Sequence, residues 1–232
     1  MESPISFQRE QVAVASSDFF RRVYNRMGGG LLLTGLVALF TAASPAMLQL
    51  VFGNRMVFYA LVIAELGLVM TLSGAVNRLS AATATLMFLL YSALSGVTFS
   101  VIFLSYTRAS IASTFFVTAG TFGAMSVYGH VTKRDLTAWG SFLFMGLIGV
   151  VIASLVNLFL HSPAVYWIST YCGILVFVGL TAYDTQKIKA LAWHGFGSEE
   201  AEKKAAIIGA LQLYLDFINL FLLLLRFSDR RR

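Results

Sequence analysis

Long apolar stretches separated by short polar connections make up most of the chain. Each is close to the roughly 20 residues that a helix needs to cross a bilayer. The pattern predicts a polytopic, all-α membrane protein with seven transmembrane helices, because helices satisfy their backbone hydrogen-bonding groups inside lipid. The stretches are Met27–Ala43, Val57–Val76, Thr83–Leu104, Ser110–Tyr128, Ala138–Leu160, Ala164–Lys187 and Ala205–Leu225.

Polar segments flank this hydrophobic domain at both ends. Residues 1–26 are predicted to form a polar N-terminal arm, residues 27–227 the seven-helix domain, and residues 228–232 a basic tail. The connections inside the domain are short except Ala190–Lys204, which is rich in charged residues and is predicted to be a loop.

Composition agrees with a membrane protein. The chain is 58% hydrophobic and 12% charged, with a mean hydropathy of +0.77, whereas soluble domains carry about 25% charged residues. Lysine and arginine outnumber aspartate and glutamate by 17 to 11. Because the basic residues cluster beside apolar stretches, they indicate topology and contact with an anionic lipid bilayer, not with nucleic acid.

The basic residues also predict orientation. With a cytoplasmic N-terminus and seven crossings, most lysines and arginines of the connections lie on the cytoplasmic side, as the positive-inside rule requires. Arg230–Arg232 do not fit this bias. A cytoplasmic tail would make the last segment re-entrant, but the segment is long enough to cross, so we expect the C-terminus on the outer side of the membrane.

The last apolar stretch carries a polar stripe. Gln212, Asp216 and Asn219 follow the i, i+4, i+7 spacing that places residues on one helix face. Asp216 lies about halfway along the stretch, where a carboxylate costs about 2.5–3.5 kcal/mol on insertion scales. We therefore expect Asp216 to face protein, water or an ion.

A second acidic residue, Asp184, lies near the end of the sixth stretch that leads back to the seventh. If Asp184 and Asp216 meet in a low dielectric, they would share one proton and titrate as a pair, which is a proton sensor. Deprotonated, the pair offers oxygen ligands that suit transient binding of calcium. The alternative is that each aspartate is hydrogen-bonded separately, with Asp184 near Lys187.

Three further charged residues border the apolar stretches. Arg78 lies at the same predicted membrane level as Asp184, and could either bridge to the acidic pair or serve as a positive-inside anchor. Glu65 and Arg226 could neutralise each other and close the opposite half of the membrane. The sequence contains no nucleophile–base set and no zinc-ligand spacing, so neither an enzyme nor a bound cofactor is expected.

Three runs of sequence resemble the Bax inhibitor-1 family, in the form found in bacterial inner membranes. They are LYLDFINLFLLLLRF (Leu213–Phe227), TAYDTQKIK (Thr181–Lys189) and VTKRDLTAWGSFLFMGLIG (Val131–Gly149). The resemblance implies a seven-helix fold in which the last helix is central and wrapped by the other six. It also implies a pH-sensitive leak for calcium, the permeating ion.

The resemblance further implies roles for individual residues. Asp184 and Asp216 match the family's pH-sensing pair, and Arg78 is the nearest match to the arginine that latches the pair in the closed state. Glu65 and Arg226 also fall at family positions.

Two other functions remain open at this stage. The protein could be a membrane interaction protein without transport, modulating a membrane protease or protein quality control through its N-terminal arm and the Ala190–Lys204 loop. It could also be a proton-coupled transporter, although no inverted repeat or broken helix pair is evident.

Overall fold

The structure is a computed structural model that describes residues 4–228; for residues 4–15 and for His194 it describes the backbone alone. Within these residues it is helical, without a strand. The α-helices are α1 (Pro4–Ala43), α2 (Pro45–Phe52), α3 (Arg55–Ala75), α4 (Ala81–Phe99), α5 (Ile102–Ser105), α6 (Arg108–Val131), α7 (Thr137–Leu160), α8 (Pro163–His194) and α9 (Glu199–Leu225). A 3₁₀ turn, Val76–Arg78, follows α3.

Seven segments among the described residues are long and apolar enough to cross a membrane. They lie in α1, in α3 with its 3₁₀ turn, in α4 with α5, and in α6, α7, α8 and α9. The predicted all-α membrane domain with seven transmembrane helices is therefore confirmed.

Capping residues mark where several helices begin. Ser44 Oγ accepts from Met47 N at 3.4 Å, and Pro45 occupies the first turn of α2. Asn54 Oδ1 accepts from Met56 N at 2.9 Å before α3, and Ser80 Oγ accepts from Thr83 N at 3.0 Å before α4. These side chains satisfy amide groups that have no partner within the helix itself.

One predicted boundary was wrong. The division into a polar arm, a seven-helix domain and a tail stays a prediction, and α1 runs unbroken from Pro4 to Ala43. The predicted loop Ala190–Lys204 is mostly helical, because α8 continues to His194 and α9 begins at Glu199, which leaves only residues 195–198 as a connection. Arg230–Arg232 of the predicted tail lie outside the described residues.

The chain forms two compact units. The N-terminal unit comprises the chain up to Thr107 together with Ala190–Tyr214. Its α1 carries a buried stripe at helical spacing that includes Phe19, Val23 and Ala38. The stripe starts inside the predicted arm. The helix therefore extends beyond its apolar part because its buried face packs within this unit, and not because of its hydropathy.

The C-terminal unit comprises Arg108–Lys189 together with the chain from Leu215. Its core is a cluster of apolar side chains on α7, α8 and the second part of α9: Leu143, Phe177, Leu180, Leu220 and Leu223. The outer face of α7 exposes many large apolar side chains, and only 6% of its most apolar window is buried. That face suits contact with lipid.

Helix α9 is the most buried of the seven candidate spans, with 61% of its most apolar window inside the protein. Its first part, to Tyr214, belongs to the N-terminal unit, and the rest, from Leu215, belongs to the C-terminal unit. A central position for α9, wrapped by the other six helices, stays a prediction.

Candidate functional site

The candidate site is a pair of acidic side chains in the C-terminal unit. The carboxyl groups of Asp184, on α8, and Asp216, on α9, lie within hydrogen-bonding reach of each other. Asp216 is 4% exposed, and its Oδ2 has no hydrogen-bond partner among the described residues. Asp184 is half-buried, with Lys187 as a nearby positive charge.

Packing on either side of Asp184 fixes the position of α8. Ala182 lies against Gly129 of α6, where a Cβ would overlap the Ala182 backbone. Tyr183 lies against Gly140 of α7, where a Cβ would overlap the tyrosine ring. Because the two glycines allow close helix approach, the neighbours of Asp184 are held against α6 and α7.

A second set of contacts ties α8 to the turn between α6 and α7. Gln186 Oε1 accepts from Leu136 N and Gln186 Nε2 donates to Arg134 O, both at 2.8 Å. Lys189 Nζ donates to His130 O. One glutamine therefore satisfies two backbone groups of the turn while standing two residues from Asp184.

The same turn holds a capping carboxylate. Asp135 Oδ1 accepts from Thr137 N at 2.8 Å at the start of α7. Hydrogen bonds from the Thr137 side chain and backbone hold the pKa of Asp135 below its usual value. Asp135 is fully exposed, so it differs in setting from half-buried Asp184 and buried Asp216.

Aromatic packing positions Asp216 on α9. Its neighbour Phe217 contacts Phe115 and Phe122 of α6, with ring centroids 5.5 Å apart in both cases. Asn219 Nδ2 donates to Leu215 O at 2.8 Å, so this amide is engaged with its own helix. The third member of the predicted polar stripe, Gln212, is half-buried and lines a groove in the N-terminal unit.

Of the remaining predicted site residues, Glu65 and Arg226 have local partners in their own units. In the N-terminal unit, Glu65 Oε1 accepts from Thr98 Oγ1 at 2.5 Å, and Arg78 is exposed at the end of the 3₁₀ turn. In the C-terminal unit, Arg226 Nη1 donates to Thr170 Oγ1 at 2.8 Å and its guanidinium lies 4.9 Å from the Tyr166 ring centroid. The Glu65–Arg226 pair and the Arg78 latch stay predictions.

The acidic pair can exchange a proton but cannot hold calcium firmly by itself. Ca²⁺ takes about six to eight oxygen ligands, and two carboxylates supply at most four. No group of three or more His, Cys, Asp or Glu side chains suited to a metal occurs among the described residues. Transient binding of calcium by the pair stays a prediction.

Sequence reasoning missed the roles of Gln186, Thr98 and Thr170. Gln186 could have been noticed as a polar residue within two positions of Asp184, but its partners are backbone groups that no side-chain pattern marks. The two threonines look like ordinary small residues of transmembrane helices.

Comparison with known proteins identifies the family. The family described as "Inhibitor of apoptosis-promoting Bax1" matches residues 16–232. The chain is 55% identical to the inner membrane protein YbhL of Escherichia coli K12 over 92% of both chains. It is 46% identical to an uncharacterized protein of Borreliella burgdorferi over 97% of both chains.

A more distant relative is an uncharacterized membrane protein of Streptococcus pyogenes, 37% identical over 95% of this chain and 96% of that protein. The similarity to YbhL and the seven apolar helices indicate a multi-pass protein of the inner membrane. The chain belongs to the Bax inhibitor-1 family.

Proposed function

We propose that the protein is a pH-controlled cation leak of the bacterial inner membrane, that calcium is the permeating ion, and that Asp184 and Asp216 sense the pH. The observation that carries the proposal is the buried carboxyl pair, in which Asp216 Oδ2 has no partner among the described residues. Buried polar atoms are normally hydrogen-bonded, so an unpartnered carboxylate oxygen calls for an explanation, and a functional role supplies one.

The pair responds to pH through one shared proton. When one carboxyl is protonated, it donates to the other and the site carries a single negative charge. When that proton leaves, two like charges about 4 Å apart repel by roughly 4 kcal/mol at an effective dielectric constant of about 20. Rising pH therefore drives the carboxylates apart or draws in a cation, and falling pH reverses the change.

In this mechanism the protein is a passive conduit, neither an enzyme nor the holder of a bound cofactor. Calcium passes down its gradient, and the pair supplies a few of its oxygen ligands in transit.

We further propose that Arg78 latches the closed state, as the family resemblance implies. We also propose that the N-terminus is cytoplasmic and the C-terminus periplasmic, as the distribution of basic residues predicts. Reporter fusions at the two termini test the orientation.

The proposal is tested by calcium flux in liposomes from mildly acidic to mildly alkaline pH. Calcium flux through the wild type is expected to depend on pH, whereas Asp216→Asn and Asp184→Asn should have flat profiles because neither retains a titrating pair. Asp18→Asn is the matched control, since Asp18 is a partly exposed residue that pairs with Arg21 on α1. Unchanged profiles in both aspartate variants would disprove the sensor.

A further inference from the structure

A groove of about 320 Å³ lies in the N-terminal unit beside the first part of α9. Small-molecule sites span about 300–1,000 Å³, so the groove holds part of a large ligand and not all of it. Its apolar wall comes from the 3₁₀ turn, α8 and α9: Val76, Leu191, Ala205 and Ile208. Glu200 and Gln212 mark positions about 18 Å apart along α9, at 1.5 Å per residue.

Polar groups collect where α9 begins. Asn77, Glu200 and Lys204 line the groove there, and Arg78 lies exposed next to Asn77 in the chain. Ala205 starts the apolar part of α9 directly after Lys204. The groove therefore has a polar end at the start of the span and an apolar course along the helix as far as Gln212.

The acidic residues at this end are all engaged. Glu199 pairs with Lys203 at 2.7 Å, and Glu202 pairs with Arg22 at 3.2 Å. Glu200 Oε1 accepts from Ala81 N at 2.6 Å, at the start of α4, where a carboxylate is stabilised by the helix dipole. The negative charges near the groove thus have partners already.

Lys204 is different. Its Nζ donates to Asn77 O at 3.4 Å, a long hydrogen bond, and no carboxylate lies within ion-pair distance of it in the part of the chain that the structure describes. A lysine at the end of a span keeps its alkyl stem on apolar surface and its ammonium at the level of the lipid headgroups. Lys204 therefore offers the groove a positive charge at headgroup level.

We propose that this groove binds an anionic phospholipid, with the lipid phosphate at Lys204 and one acyl chain along Val76, Leu191 and Ile208. Among the described residues, the groove itself holds one cation and one carboxylate, but Glu200 is already bound to Ala81 N. Lys204, with Arg78 exposed next to Asn77, supplies the positive charge that favours an anionic headgroup. The apolar course along a membrane-spanning helix supports an acyl chain over a soluble anion, which would leave that wall unoccupied. The groove volume accommodates part of one chain, with the remainder of the lipid in the bilayer.

The test is native mass spectrometry of the full chain titrated with phosphatidylglycerol or phosphatidylcholine. The wild type should retain phosphatidylglycerol preferentially, and Lys204→Gln should weaken its retention about fivefold, the effect of one basic residue at an anionic headgroup. The matched control is Lys203→Gln, which removes the same charge from the adjacent residue but acts on a lysine already paired with Glu199. It should leave retention unchanged.

A second variant tests the apolar wall without altering charge. Ile208→Trp fills the groove and should reduce lipid retention, with thermal unfolding recorded in parallel to confirm that the variant is folded. If Lys203→Gln and Lys204→Gln lose phosphatidylglycerol retention equally, the loss reflects general surface charge and the proposal is overturned. Equal retention of the two lipids, or displacement of phosphatidylglycerol by an acidic peptide or by inorganic phosphate, would also overturn it.

Discussion

Each unit of the protein contains a buried polar cluster, and the two clusters are satisfied to different degrees. In the N-terminal unit the hydroxyl cluster consists of Thr34, Ser92 and Tyr214. Thr34 Oγ1 donates to Gly30 O at 2.9 Å and to Ser92 O at 2.8 Å, and is joined to the Tyr214 hydroxyl at 2.8 Å. Because the Thr34 proton points at carbonyl oxygens, Tyr214 is the donor between the two side chains.

The hydroxyl cluster leaves none of its three hydroxyls unpaired, since Ser92 Oγ donates to Phe88 O at 2.9 Å. Tyr214 is fully buried and its ring meets Phe88 and Tyr91 edge-on, at centroid distances of 5.8 and 5.7 Å. In the C-terminal unit, by contrast, Asp216 keeps an unpaired oxygen among the described residues. A satisfied neutral network stabilises packing, whereas an unsatisfied carboxyl lowers stability and suits a site that changes state.

The largest expected effect is the loss of Tyr214. Tyr214→Ala should lower the free energy of unfolding by about 3–5 kcal/mol, because it leaves a large cavity between α1, α4 and α9. Tyr214→Phe should cost about 0.6–1.7 kcal/mol, the range of single hydrogen bonds inside membrane proteins. Unfolding in detergent measures both, and Tyr59→Phe, at a site 57% exposed, is the control. Equal effects of the two phenylalanine variants would contradict a structural role for the hydroxyl cluster.

The second prediction concerns Asp216, whose replacement should raise the free energy of unfolding. Asp216→Asn should raise the free energy of unfolding by about 1 kcal/mol, because the amide cannot ionise and so avoids the cost of a buried charge next to Asp184. The same unfolding assay measures the change, with Asp18→Asn as the acid-to-amide control. A destabilised Asp216→Asn would mean that the carboxyl pair is a structural element like the hydroxyl cluster, and the contrast between the units would fail.

How much of this contrast the sequence could predict depends on the kind of contact. The spans were predictable because apolar runs are long, and Asp184 and Asp216 stood out because carboxylates inside such runs are rare. The continuation of α1 through Arg21 and Arg22 could not be predicted, because these charges lower the local hydropathy. Phe19 and Val23 nevertheless form the buried face of this part of the helix. For the same reason the glutamates and lysines at the start of α9 concealed a helix.

The hydroxyl cluster and the Gln186 contacts lay beyond sequence reasoning for a different reason. Thr34 and Tyr214 are 180 positions apart, and Gln186 bonds to backbone groups 50 and 52 positions away. Serine, threonine and tyrosine are common in transmembrane helices, so their presence does not indicate which pairs meet. Only the packing of α1 with α4 and α9, and of α8 with the turn between α6 and α7, determines those partners.

An intermediate effect is expected at Gln186, which links the carboxyl pair to the turn between α6 and α7. Gln186→Leu removes both hydrogen bonds and should destabilise the C-terminal unit by about 1–3 kcal/mol, because two backbone groups lose their partner. If the proposed sensor operates, the pH midpoint of calcium flux should move as well, since α8 sets the position of Asp184.

Gln186→Glu provides the matched comparison. It keeps the acceptor for Leu136 N but places a carboxylate oxygen against Arg134 O, so one hydrogen bond survives and one is lost. We expect a smaller loss of stability than in Gln186→Leu. If both variants are less stable but keep the wild-type pH midpoint of calcium flux, Gln186 fixes the turn without influencing the carboxyl pair.

The smallest effect is expected at Asp135, the exposed carboxylate of that turn. Because its pKa is lowered in the folded protein, its contribution to stability is present above its unfolded value of about 4 and is lost as the pH falls through the lower folded value. Asp135→Asn keeps an oxygen for Thr137 N but cannot titrate, so the variant should lose only this acid sensitivity of unfolding. Its calcium flux profile should match wild type, because flux depends on the buried carboxyl pair and not on a capping residue. A shifted flux profile in Asp135→Asn would instead make the turn part of the pH response, and the separation between exposed and buried carboxylates would no longer hold.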